Sequence, residues 1–211
     1  MTWFQFIRFQ LKDNFTIFKR YPGFTPQSFF LSLLYFFKNP FRVSKSFWVE
    51  KGADEVDVYG ETPLVTLDKI AARAALSKED TFFDLGMGRG KGALFIKHKV
   101  GCKVVGLEII PNFVKKAERV KRFFGLKDIW FLLKDLTVAD LSRGTVFYLY
   151  GNFLSDETLL ELGKKLDELP KGTKVISVSF PISDYTHNFK VQESFEGEFP
   201  WGKTDIFISK Y

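Results

Sequence analysis

A chain of 211 residues, 45% hydrophobic and 18% aromatic, is long enough for one α/β domain with an appendage and has ample material for a core. One cysteine, Cys102, and two histidines, His98 and His187, exclude an internal disulfide and a Cys/His zinc cluster, and no G-x-S-x-G elbow is present for a serine hydrolase. The net charge of +6 is concentrated at one end, where residues 1–50 hold seven Lys/Arg against two acids, together with 16 aromatics.

In chain order, that segment comes first. Helices are expected over 2–18 and 26–38, with Asn39-Pro40 as a stop and a connector over 41–58 that carries Asp54, Glu55 and Asp57. Arg8, Lys12 and Asp13 interrupt any secretory signal core, and the longest uncharged run is broken by Pro22, Gly23 and Pro26, so no transmembrane helix is expected. The domain division is therefore 1–50, a helical segment, and 51–211. Residues 1–50 read best as a cap that lays aromatics over the core, because their apolar residues are too dense for a one-sided stripe. The alternative is an interfacial contact of residues 1–40 with an anionic membrane surface, since basic residues beside bulky aromatics suit a headgroup region. The lone thiol fits a reducing compartment, so a cytoplasmic location is expected, peripheral to a membrane under that alternative.

Thr62 followed by Pro63 reads as an N-cap with proline at the first helical position, opening a helix to about Leu76. Strands are then expected near 81–85, 103–108, 129–133, 145–150 and 173–179, and helices near 90–99, 111–124 and 155–168, the last started by Ser155 with Glu157. Such alternation means a mostly parallel sheet covered by helices on both faces. Residues 189–195 and 204–209 are β-rich runs joined by EGEFPWGK with no helix between, so they should pair antiparallel.

The most informative stretch is TFFDLGMGRGKGALFI, residues 81–96. An apolar strand carrying Asp84 runs into Gly86, Gly88, Gly90 and Gly92, and a helical pattern follows. About twenty residues on, KVVGLEIIP ends a second strand at Glu108, the usual place for an acid that accepts hydrogen bonds from ribose hydroxyls. The dinucleotide pattern G-x-G-x-x-G fails from Gly86, because Lys91 stands where glycine is needed, and fits from Gly88 only with Ala93 as third member. Asp84 points elsewhere, because a carboxylate at a strand's C-terminal end suits an amino-acid ammonium better than a pyrophosphate.

The pattern D-x-G-x-G-x-G with a downstream acid resembles class I S-adenosylmethionine methyltransferases, whose fold ends in an antiparallel seventh strand. VYGET, residues 58–62, and FYLYGNF, residues 147–153, resemble histone lysine methyltransferases of the non-SET, seven-stranded kind. GLEIIPNFV, 106–114, and ELPKGTKVISVSFPI, 168–182, are similar to archaeal protein lysine methyltransferases and their mitochondrial relatives that modify an ATP synthase rotor subunit. The resemblance covers roughly residues 56–185. The chain departs from those families at Met87 and Gly151, and its N-terminal segment matches neither.

The resemblance implies a Rossmann-like, seven-stranded α/β fold, S-adenosylmethionine as cofactor and a protein lysine as acceptor. It implies cofactor contacts from Tyr59, Glu61, Thr62, Asp84, Gly86, Gly88, Gly90, Glu108, Asp135 and Leu136, with Asp135 at the adenine amine. Asn152, Phe153 and Tyr150 are the expected catalytic residues, Asn152 accepting a hydrogen bond from the acceptor amine. Tyr59, Tyr150, Phe153 and Phe180 are expected as an aromatic wall that tolerates a methylated cation. Duller roles stand beside these: Asn152 as a helix cap, Phe180 as core, Asp135 as a loop acid, and the run Lys115, Lys116, Arg119, Lys121 and Arg122 as a solvated helix face. No metal is called for, because methyl transfer is an in-line displacement that rests on positioning. The alternative functions are a methyltransferase for a small molecule or lipid, and a cofactor-binding partner subunit without catalysis. Nucleic acid is not favoured, because the portion after residue 50 is nearly neutral and no Pro-Pro-Tyr follows Asn152.

Overall fold

The computed structural model describes residues 3–52, 59–151 and 153–211; Asp54, Glu55, Asp57, Val58 and Asn152 lie outside the described residues. The chain opens with α1 (Trp3–Arg20), a 3-10 turn (Pro22–Phe24), α2 (Thr25–Leu33) and α3 (Pro40–Glu50). The helix expected over 26–38 therefore ends at Leu33, and Asn39-Pro40 starts a helix that occupies much of the expected connector. The cause is local: Asn39 has extended backbone and its side chain accepts the Arg42 N–H at 2.9 Å, while Pro40 takes the first helical position, where its missing N–H costs nothing.

The next helix, α4 (Leu64–Arg73), is capped differently from expectation. Asp13 of α1 accepts the Leu64 and Val65 N–H groups at 3.0 and 2.8 Å, and the Thr62 hydroxyl pairs instead with the Tyr148 hydroxyl. A carboxylate at this positive helix end satisfies two donors that the helix itself leaves open. Farther along α4, Asp68 is held by Arg20, Tyr21 and Lys99, so one acid ties α1, the following turn and the fifth helix together.

Strands β1 (Thr81–Leu85), β2 (Lys103–Glu108), β3 (Ile129–Leu133), β4 (Val146–Leu149) and β5 (Lys174–Val178) alternate with α5 (Lys91–Val100), α6 (Pro111–Phe123) and α7 (Asp156–Asp167). Ser155 caps α7 as its sequence indicates, accepting the Thr158 N–H. The strands β6 (Lys190–Phe199) and β7 (Gly202–Lys210) complete a seven-stranded sheet of order β3-β2-β1-β4-β5-β7-β6, parallel except for β7 against β5 and β6. The last pair runs through EGEFPWGK and leaves only Pro200-Trp201 as the turn. Buried Phe195, Gly197 and Phe199 alternate with exposed Glu196 and Glu198, a period-2 pattern that the Gly and Pro letters obscured.

Side chains of period 2 divide the core between two faces. Phe82, Val104, Val146, Tyr148 and Ile176 face α4 to α6, whereas Phe83, Leu85, Leu107, Phe147 and Leu149 face α7. Ile17, Phe24, Leu31, Tyr35 and Val43 of the N-terminal helices join the first cluster, with Phe24 edge-on to Phe95 at 5.3 Å. Phe24 is fully buried, and emptying such a site costs about 3–5 kcal/mol. The N-terminal segment is thus built into the same core as the sheet.

Candidate functional site

The order β2-β1-β4 puts a topological switch beside the C-terminal end of β1, where open α/β sheets leave a crevice. Register places Gly106, Asp84 and Tyr148 in one row across the three strands, on the face toward α5. Beyond β1 the loop 86–90 folds back over β2, with the Gly86 and Met87 N–H groups both on the Leu107 carbonyl at 3.0 and 2.9 Å. Gly86 has φ +81° and nothing within 4 Å of where a Cβ would stand, so the turn needs glycine and a ligand meets bare backbone there. Met87, where the resembled families carry a smaller residue, is buried and lays its sulfur where a Cβ on Gly106 would be.

Glu108, at the end of β2, spends both oxygens on backbone. Oε2 accepts the Gly88 N–H at 2.9 Å, and Oε1 accepts those of Ile109 and Ile110 at 2.8 and 2.9 Å. Burial nevertheless outweighs these donors and pushes its carboxyl up to about 7. Asp84, equally buried, is also pushed up to about 7, by burial first and then by the charge of Glu108. No described cation offsets it. Two buried acids beside one crevice make a place that favours a positively charged ligand.

A cavity of about 440 Å³ opens at this crevice, lined by Gly86, Leu107, Glu108, Ile109, Ile110, Asp135, Leu136, Phe153 and Leu154, and also by Trp48, Lys134, Ser155 and Thr158. Its size lies within the roughly 300–1,000 Å³ usual for sites of small ligands. Asp135 Oδ1 accepts the Thr137 N–H and hydroxyl at 2.8 Å each, which shapes the turn after β3. Apolar walls with a few directed carboxylates suit a flat heterocycle bearing hydroxyls.

A second cavity, of about 300 Å³, is lined by Gln10, Pro40, Phe41, Tyr59, Gly60, Glu61, Arg89, Tyr150, Pro200 and Trp201. The Tyr59 ring abuts Gly88, 3.0 Å from where a Cβ would stand. Glu61 is taken up within the protein: Arg89 holds it through Nε and, at 2.8 Å, through a terminal nitrogen, while the Tyr59 hydroxyl donates at 2.5 Å. Burial opposes ionisation of Glu61, but Arg89 and these bonds prevail and hold its carboxyl down at about 2. The Trp201 Nε1–H donates to the Tyr150 hydroxyl at 2.9 Å, with Phe199 stacked behind Trp201.

The structure thus gathers Gly86, Glu108, Asp135, Leu136 and Phe153 at the first cavity and Tyr59, Glu61 and Tyr150 at the second. Gly88, Asp84 and Thr62 lie at neither lining. Gly88 bridges Tyr59 and Glu108, Asp84 sits in the strand row, and Thr62 is bonded to Tyr148. Gly90 caps α5 in a left-handed conformation, and Phe180 packs edge-on to Tyr185 on the α7 side. Trp48, Arg89 and Trp201 were not singled out from sequence. Trp48 carries no signal, because its helix falls in the expected connector 41–58; Trp201 has one, as an aromatic in the turn of the terminal hairpin.

Residues 50–197 match the family described as histone methylation protein DOT1. The histone-lysine N-methyltransferase, H3 lysine-79 specific, of Chaetomium globosum is 27% identical over 159 residues, 69% of this chain and 30% of that protein. The protein of the same name from Yarrowia lipolytica is 30% identical over 137 residues, 58% of this chain and 28% of its own length. The chain spans less than a third of these curated relatives. Among solved structures, an RNA methyltransferase from Salinibacter ruber in complex with S-adenosyl-L-homocysteine superposes with a TM-score of 0.59 at 29% identity, over 70% of this chain and 91% of the other. The family match reaches across more than half of the chain and includes the glycine loop, Glu108 and the second cavity's Tyr59 and Tyr150: the chain belongs to the DOT1 family.

Proposed function

We propose that this chain is an S-adenosylmethionine-dependent methyltransferase whose acceptor is a protein lysine. The observation that carries the proposal is the pair Asp84 and Glu108, two buried carboxylates at neighbouring strand ends beside an open cavity at the sheet's switch point. Asp84 has no hydrogen-bond donor among the described residues and fits the cofactor's ammonium; Glu108, already aligned by three backbone N–H groups, has a lone pair left for a ribose hydroxyl. Asp135, Leu136, Ile109 and Phe153 supply a polar edge and apolar faces for adenine. When bound, the cofactor supplies an electrophilic methyl group on a sulfonium.

The chain's own residues then have to align an amine and exclude water. The second cavity, across the Gly88–Tyr59 contact, is the acceptor's approach in this reading. Tyr59, Tyr150 and Trp201 line it with aromatic faces that draw in the ammonium and tolerate the methylated product, while desolvation deeper toward the cofactor opposes the charge, so the amine gives its proton to solvent and meets the methyl group uncharged. Glu61 and Arg89 hold the rim through Tyr59 and stay a closed ion pair. Asn152 accepts a hydrogen bond from the amine, a role supported by the G-N-F resemblance. The H3 lysine-79 specificity belongs to the much longer relatives, and the particular lysine remains with them.

The test has two arms. Calorimetric titration of the full chain with S-adenosylhomocysteine, with NAD as the competing nucleotide, checks the cofactor. Incubation with methyl-labelled S-adenosylmethionine and a host lysate checks the acceptor: label lost on protease digestion and retained after ribonuclease supports a protein, and the reverse pattern rejects it.

A further inference from the structure

We propose that the N-terminal cap carries a docking surface for an anionic lipid membrane, formed by α2, the turn that follows it, and the exposed side of α6. On α2, Phe29 and Leu33 lie one turn apart and are 70% and 55% exposed. In the following turn Phe36 and Phe37 meet edge to face at 5.2 Å and are 76% and 93% exposed. Phe30 stacks on Phe123 of α6 at 4.4 Å, and Phe123 itself is 67% exposed, so the apolar surface runs from one helix to the other. Scattered exposed apolar residues are ordinary, whereas a contiguous group of large ones marks a contact surface.

Positive charge borders this group. Lys116 of α6 lies 3.7 Å from the centre of the Tyr35 ring and feels the charges of Arg119 and Lys38. None of these three cations makes an ion pair among the described residues. Phenylalanine has no hydrogen-bonding atom to offer a polar partner, and cations beside it match lipid phosphate, so hydrocarbon and headgroup answer both parts of the surface at once. No helix of the described residues is long and apolar enough to cross a membrane, so the contact is peripheral. The segment then has two roles, because its inner side caps the core through Asp13, Asp68 and Phe24 while its outer side faces lipid.

Flotation of the full chain with vesicles of one part phosphatidylglycerol to three parts phosphatidylcholine tests this, against vesicles of phosphatidylcholine alone. Binding is expected to the anionic vesicles only and to fall with added salt. The double variant Phe36→Ser/Phe37→Ser should bind on the order of tenfold more weakly, as should Lys38→Glu/Arg119→Glu. All four side chains are exposed, so circular dichroism and S-adenosylhomocysteine affinity should match the parent chain. The proposal is overturned by absence of vesicle binding, by equal binding to neutral vesicles, or by equal binding of the double serine variant. It is overturned equally by preferential binding of duplex nucleic acid, or by self-association that the serine variant abolishes without vesicle binding.

Discussion

The Glu108 carboxylate receives the Gly88 N–H at 2.9 Å, so the acid proposed for a ribose also anchors the glycine loop to the end of β2. The two duties separate by substitution. Glu108→Gln keeps an acceptor for Ile109 and Ile110 but turns an amide toward Gly88, and should weaken S-adenosylhomocysteine binding by about 1.5–3 kcal/mol, the usual value of hydrogen bonds to a charged group. Glu108→Ala should lose that affinity and also lower the melting temperature, because three backbone donors are left open. Unchanged affinity in calorimetry for both variants would remove Glu108 from the cofactor site.

Asp84 predicts a pH dependence. Its folded carboxyl titrates at about 7 against 3.8 unfolded, so between those values the folded chain holds a proton that the unfolded chain has released. Stability of the cofactor-free protein should therefore fall as pH rises across that window, with Glu108 acting in the same direction from 4.5 to about 7. Affinity for the cationic cofactor should move the opposite way and rise as pH passes about 7, because ionised Asp84 is the binding form. Asp84→Asn should reduce the stability slope and lose the rise in affinity. A variant that keeps both slopes would show that another group titrates.

Asp13→Ala should destabilise the chain by about 1–3 kcal/mol, since a buried N–H (Leu64) and a part-buried one (Val65) at the start of α4 lose their acceptor. Asp13→Asn, which keeps an oxygen for one of them, should cost less. Urea denaturation reads this as a lower midpoint with an unchanged slope. An unchanged midpoint for the alanine variant contradicts the capping role.

Trp201→Ala should raise the KM for a protein acceptor about fivefold, from roughly 1 kcal/mol of aromatic attraction for an ammonium, with cofactor affinity unaffected. Trp201→Phe keeps an aromatic face and gives up the bond to Tyr150, and should fall between. Loss of cofactor affinity in either variant would join the two cavities into one site and reject the separate acceptor approach.

Much of this was legible in the sequence where pattern and chemistry coincide. The strand-glycine-helix run at Asp84 to Gly92 and the acid at Glu108 define the switch-point crevice, and the near-continuous burial of β1, β2 and β4, covered on both faces, follows from their apolar letters. What stayed hidden depended on distant partners. Asn39-Pro40 serves as either a stop or a start, and only packing of α3 decides. Thr62 has the look of an N-cap, yet Asp13, 51 residues before Leu64, does that work. Glu61 lies in the right motif, but its carboxylate is closed by Arg89, a residue of the glycine loop whose direction no spacing rule reveals.

The most direct measurement of the central claim is amino-acid analysis of the acceptor. The full chain is incubated with methyl-labelled S-adenosylmethionine and either purified core histones or a host lysate, and the labelled macromolecular fraction is hydrolysed completely. Label should be recovered as methylated lysine, and Asp84→Asn assayed at low cofactor concentration should yield far less. Label recovered in nucleoside or lipid, or none incorporated although S-adenosylhomocysteine binds, would contradict a protein-lysine methyltransferase.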